Sequence, residues 1–240
     1  MAFIRGVGDT APMLGAWATT VVTLMAAIAF ALASAATWTR KAKEMSLFYG
    51  GVSVFLLIGG MRQVAALAGA EAADRALFYA LLVPAAVPII FLVAMAGRAR
   101  TGRHHWPSIM IWTVAIAIGL WHAFWQGLDG PFVGDWGTEY RVRSSITQLI
   151  LIAFVTLPGL AIGAMTWWTG HKLEDAHGLR LRWVGYSVFV YYAAFTIDAL
   201  APRGMSILLT RAATLIVALA VAWAYHRRTE TMPQASPESS

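Results

Sequence analysis

Residues 75–97 read RALFYALLVPAAVPIIFLVAMAG. After the opening arginine the stretch carries no charged side chain. A helix needs about 20 apolar residues to cross the hydrocarbon core of a bilayer, and this run supplies them. A strand of that length would be exceptional, so the reading is a membrane-spanning helix.

Working outward, comparable runs occur at about 15–38, 46–68, 106–127, 145–168, 183–201 and 204–226, which makes seven. They fill most of the 240 residues, and 59% of the chain is hydrophobic against 12% charged. A soluble domain carries about 25% charged residues, and a globule of this size cannot hide so much apolar surface. The fold expected is all-α: a seven-helix transmembrane bundle over residues 1–228, followed by a polar tail over 229–240 read as disordered. The run 15–38 reads as a span, since it is too long for a leader's apolar core and lacks a basic flank before it. No room remains for a soluble catalytic or nucleic-acid-binding domain, and the net charge of +6 lies mostly between spans.

Counting basic residues orients the bundle. Arg40, Lys41, Lys43, Arg98, Arg100, Arg103, Lys172, Arg180, Arg182, Arg227 and Arg228 flank one side, and Arg5, Arg75, Arg141, Arg143 and Arg203 flank the other. The positive-inside rule puts the first group in the cytoplasm. The N-terminus is then outside and the C-terminus inside, in a multi-pass protein of the cell membrane. Tryptophans near span ends, such as Trp38, Trp106, Trp125, Trp136 and Trp168, fit an interfacial belt.

Charges within spans are costly and mark sites by default. Arg62, Arg75, Asp198 and Arg211 all fall in the outer third, with His122, Gln126 and Gln148 at similar depth. One reading is an outward pocket in which guanidiniums hold an anion or ligand. The other is a closed network that ties helices together, with Asp198 pairing Arg211 or Arg203. Glu44, Glu174 and Asp175 read as loop residues, and the inner half of the spans reads as nearly apolar. No continuous proton path is visible. His104, His105, His171 and His177 lie in cytoplasmic loops, a weak basis for a metal site. There is no cysteine, and no nucleophile–base or phosphate-binding motif. Pro84, Pro88 and Pro158 should kink their helices.

Span order and local sequence resemble the microbial (type I) rhodopsins. Arg75 and Pro84 keep the family's spacing of arginine and proline in its third helix. Leu47-Phe48-Tyr49 opens span 2, Met110-Ile111 lies in span 4, and Tyr140-Arg141 precedes span 5. Leu181-Arg182 opens span 6, with Phe189 and Tyr192 at positions similar to aromatics lining the family's retinal pocket. The resemblance implies the bundle topology but not the chemistry. The family binds retinal as a Schiff base on a lysine of its seventh helix, where this chain has Leu215, Ile216 or Val217. Carboxylates of the third helix are replaced by Phe78 and Ile89. Covalent retinal is therefore not expected; a non-covalent polyene, walled by Tyr186, Phe189, Tyr191, Tyr192 and Phe195, remains an option, though aromatics at helical spacing more often pack a core.

The functional expectation is a rhodopsin-like, non-enzymatic membrane protein that binds a ligand, senses, or serves a partner. The alternatives are an anion transporter or channel using the outer arginines, and a light-responsive protein with non-covalent retinal or carotenoid. The candidate ligand-binding residues are Arg62, Arg75, Asp198, Arg211, Phe189 and Tyr192. No metal or resident cofactor is expected. The partners expected are the lipid bilayer and either a second copy or another membrane protein, with no nucleic acid.

Overall fold

A computed structural model describes residues 10–103, 105–134, 137–200 and 205–226. Arg5, His104, Trp136, Arg203 and residues 227–240 lie outside the described residues, as does the side chain of Asp198. The elements are α1 (Thr10–Thr39), α2 (Lys43–Leu67), α3 (Glu71–Ala86), α4 (Pro88–Thr101), α5 (Trp106–Gln126), β1 (Leu128–Gly134), β2 (Gly137–Val142), α6 (Ser145–Ile150), a π-helical segment Leu151–Thr156, α7 (Leu157–His171), α8 (Ala176–Leu200) and α9 (Met205–His226).

Six helical stretches among the described residues are long and apolar enough to cross a membrane. They are Leu14–Thr39, Lys43–Leu67, Glu71–Thr101, Trp106–Gln126, Ser145–His171 and Met205–His226. The chain is an all-α, multi-pass membrane protein. Helix α8 is 25 residues long but is not among the six. Arg180 and Arg182 lie near its start, and the side chains of its last three residues lie outside the described residues.

Packing follows chain order. Helix α1 lies against α2 and α9, α2 against α3 and α4, α4 against α5 and α7, α5 against α6, α7 against α8, and α8 against α9. The helices thus close into a ring in which the first meets the last. Lipid is as apolar as leucine, so close approach in such a ring depends on small residues. Gly159 and Gly163 on α7 provide it: a Cβ on Gly159 would strike the Tyr192 ring, and one on Gly163 would lie 2.6 Å from the Phe189 backbone nitrogen. On α8, a Cβ on Gly185 would strike the Trp167 backbone in turn.

The core is aromatic. Phe30, Phe48, Tyr49, Tyr191 and Tyr192 are all fully or almost fully buried. Their rings meet mostly edge-on or tilted, for example Phe48 and Tyr191 at 6.0 Å and 86°. The Tyr49 hydroxyl lies 2.8 Å from Ser187 Oγ. Ser187 spends its one hydroxyl proton on the Val184 carbonyl, so Tyr49 is the donor. Buried threonines of α1 are satisfied within the helix: Thr19, Thr20, Thr23 and Thr37 donate to carbonyls four residues back.

The prolines act locally, as their missing N–H requires. Helix α3 contains Pro84 and ends at Ala86, and α4 restarts at Pro88. Pro158 cannot bond to the carbonyl of Phe154, four residues back. The Trp112 indole N–H of α5 donates to that carbonyl at 2.7 Å, and the π-helical turn lies immediately before the proline.

Between α5 and α6, residues 128–142 form an antiparallel hairpin, pairing Leu128 with Val142 and Val133 with Thr138. Period-2 alternation in Gly137–Val142 buries Thr138 and Tyr140 and exposes Arg141. One sequence expectation is corrected: Glu44 is not a loop residue. It lies in the first turn of α2, and Arg98 of α4 pairs with it at 2.8 Å. With Ser34 bonded to Ser46 at the same end, this end of the bundle holds more polar structure than hydropathy suggests.

Candidate functional site: the polar cluster beneath the hairpin

The last turns of α2 and the first turn of α3 run side by side and bring Arg62 close to Asp74. Arg62 Nε lies 3.1 Å from Asp74 Oδ1, with the Asp74 side chain fully buried and that of Arg62 9% exposed. The hairpin covers the pair. The Thr138 hydroxyl donates to Asp74 Oδ2 at 2.7 Å, and an Arg62 terminal nitrogen donates to the Thr138 carbonyl. The guanidinium lies 5.3 Å from the Phe78 ring centroid and 5.8 Å from that of Tyr140. A buried cation thus has a carboxylate, a carbonyl and two aromatic faces around it, the conditions under which a buried ion pair is tolerated.

Arg75 belongs to the same region but to its surface. It donates to the Gly130 carbonyl at 3.1 Å, lies 5.9 Å from the Tyr140 ring and 3.9 Å from Glu71. Both partners of that last pair are about half exposed, so it adds little stability. Outside the cluster, Arg143 pairs with Asp129 across the hairpin, and Arg141 lies over Phe132 at 5.2 Å.

Tyr140 is buried, with 6% of its surface exposed. Burial first, and then the charge of Asp74, push its phenol up to about 12, while Arg62 and Arg75 pull the other way. The phenol is therefore neutral at physiological pH.

The six candidate residues do not form one site. Arg62 and Arg75 meet at Tyr140. Arg211 is half-buried on α9, with its guanidinium 6.0 Å from the Phe55 ring. Asp198 lies on the backbone of α8, and its side chain lies outside the described residues. Tyr192 is fully buried in the aromatic core, whereas Phe189 is 41% exposed. Tyr186 is likewise exposed, at 45%. The α8 aromatics thus divide between core and surface instead of forming one wall. Gln148 donates to the Val142 carbonyl and secures the foot of the hairpin.

Sequence reasoning missed Asp74 and Thr138, and gave Tyr140 only a positional match. In the sequence Asp74 falls between the apolar runs 46–68 and 75–97, where a charge looks solvated. The signal that could have found the others is the alternation of Thr138, Tyr140 and Val142 with Glu139 and Arg141.

Among the described residues, no group of three or more histidines, aspartates and glutamates is placed to hold a metal ion. Chemically, the cluster joins α2, α3 and β2 through one nearly dry ion pair. Arg62 is committed to Asp74 and Thr138, which favours the closed-network reading of this residue over a free anion-binding guanidinium. No family model, curated protein or solved structure matches the chain.

Proposed function

We propose that the chain is a rhodopsin-like seven-helix membrane protein that works by binding, as a sensory or partner subunit, without retinal Schiff-base chemistry and without an enzymatic reaction. The observation that carries this reading is the ring of helices in chain order, closed around an aromatic core that contains no amine. Lysine occurs only at positions 41, 43 and 172, all at helix ends or turns. Of the three positions matched to the family's lysine, Leu215, Ile216 and Val217, only Val217 is buried, and all three are aliphatic. An imine there has no nitrogen to form on. In this reading α8 is the seventh crossing, the hairpin faces outside, and the Arg62–Asp74 pair fixes the outer mouth of the bundle. The partner is another membrane protein or a second copy of this chain.

The test is an absorption spectrum of purified protein before and after all-trans retinal is added, followed by borohydride. The expected result is no red-shifted band and no covalent adduct. A red-shifted band trapped on the polypeptide by borohydride would overturn the proposal.

A further inference from the structure

The basic residues at the ends of the helices divide into engaged and unengaged groups. At the turn between α7 and α8 the cations are occupied. Lys172 lies 5.8 Å from the Trp168 ring, Arg180 lies 5.8 Å from the Tyr225 ring, and Arg182 donates to the carbonyls of Gly170 and Leu173. Glu174 and Asp175 stand in the same turn. The turn between α1 and α2 and the adjoining end of α4 differ. Arg98 of α4 engages both carboxylate oxygens of Glu44, at 2.8 and 2.9 Å, and so ties the two segments together. Glu44 is the one acidic residue in 39–46 or 97–106, and Arg98 neutralises it. Arg40, Lys41, Lys43, Arg100 and Arg103 are left around this pair, all exposed. Among the described residues, none of their side chains has an ion pair or a hydrogen bond.

Five like charges without a counter-charge set up a field that attracts an anionic surface. Their depth says which surface. They lie at or beside the ends of stretches long and apolar enough to cross a membrane: the end of Leu14–Thr39, the start of Lys43–Leu67 and the end of Glu71–Thr101. Trp38 and Trp106, 55% and 66% exposed, lie at the same ends, as tryptophans do at the level of lipid headgroups. An acidic protein would approach from the water above these rings, whereas a lipid phosphate lies beside them. We propose that Arg40, Lys41, Lys43, Arg100 and Arg103 form a docking surface for the headgroups of anionic phospholipids, set apart from the engaged cations of the α7–α8 turn. This reading depends neither on the number of crossings nor on the side that this end faces. Attraction of this kind is electrostatic and is screened by salt.

The test places the full chain in phosphatidylcholine nanodiscs that contain spin-labelled phosphatidylglycerol or spin-labelled phosphatidylcholine. The motionally restricted fraction of each label reports relative affinity. The wild type should prefer phosphatidylglycerol, and the preference should shrink at about 1 M salt. Arg100→Gln with Arg103→Gln should lower the preference about twofold or more, and Arg100→Lys with Arg103→Lys should keep it. Lys172→Gln with Arg180→Gln, an equal loss of charge at the engaged turn, should leave it nearly unchanged. No preference in the wild type would overturn the proposal. Equal losses in the two glutamine pairs would also overturn it, since net charge alone would then explain the binding. Binding of polyglutamate that is lost in Arg100→Gln with Arg103→Gln, without a preference for phosphatidylglycerol, would overturn it in favour of an acidic protein partner.

Discussion

At the scale of single residues, the Arg62–Asp74 pair decides how the hairpin end of the bundle is built. Each charge is held in place by the other and by the hairpin. Removing one partner leaves the other buried and uncompensated. Asp74→Asn should therefore destabilise the protein by about 3 kcal/mol, measured by unfolding in detergent. Replacing both residues, as in Arg62→Met with Asp74→Leu, should recover most of that loss, since a well-packed apolar pair does as well as a buried ion pair. If the single and double variants are equally unstable, the pair is not what holds the region. Tyr140 offers a second reading of the same environment. Its folded-state pKa is raised from 10.0 to about 12, so its contribution to stability is present below pH 10 and is lost as pH rises through about 12. Difference absorbance between wild type and Tyr140→Phe should show this phenol ionising at about pH 12. The sequence marked Arg62 and Arg75 as charges at span ends, and the structure brings both against Tyr140. The sequence could not show that Asp74 turns inward, because a carboxylate one residue from a span end is as easily solvated as buried.

At the scale of elements, the proline-broken helices and the glycine-lined contact explain how long apolar segments obtain specific neighbours. Trp112 compensates the carbonyl that Pro158 leaves free. Trp112→Phe keeps the ring and removes the bond, and should cost about 1 kcal/mol, the modest value typical of polar contacts between membrane helices. An unchanged unfolding free energy would mean that lipid-phase alternatives satisfy Phe154 equally well. Gly163 is a stronger constraint, because its missing Cβ faces backbone and not a movable side chain. Gly163→Val should force α7 and α8 apart and destabilise by about 1–3 kcal/mol, while Ala164→Val, at an exposed position of the same helix, should be nearly neutral. Equal effects at both positions would remove the close contact from the account. Six of the seven expected spans were readable in the sequence, because length and apolarity determine them directly, and Pro84, Pro88 and Pro158 marked the breaks. The hairpin was not, since its strands are short and carry Gly, Pro and Asp between two long helices. Its alternation becomes meaningful only once there is a bundle mouth to cover.

At the scale of the whole molecule, the account depends on how many times the chain crosses the membrane. Among the described residues six stretches meet the length and apolarity of a span; α8 has the length but is not among them. Its burial pattern matches a bundle helix, with Val184, Ser187, Val188, Tyr191 and Tyr192 inward. If α8 crosses, the termini lie on opposite sides, the hairpin and the Arg62–Asp74 pair face outside, and the Glu44–Arg98 pair faces the cytoplasm. If it does not, the ring is not a seven-crossing bundle and the rhodopsin-like reading loses its topology. The chain contains no cysteine, so single cysteines report without background. The deciding measurement is labelling of Glu71→Cys, Gly102→Cys, Lys172→Cys and Met205→Cys in intact cells with a membrane-impermeant maleimide. The account predicts that Glu71→Cys and Met205→Cys react from outside, and that Gly102→Cys and Lys172→Cys react only after permeabilisation. Reaction of Lys172→Cys and Met205→Cys from the same side would contradict it.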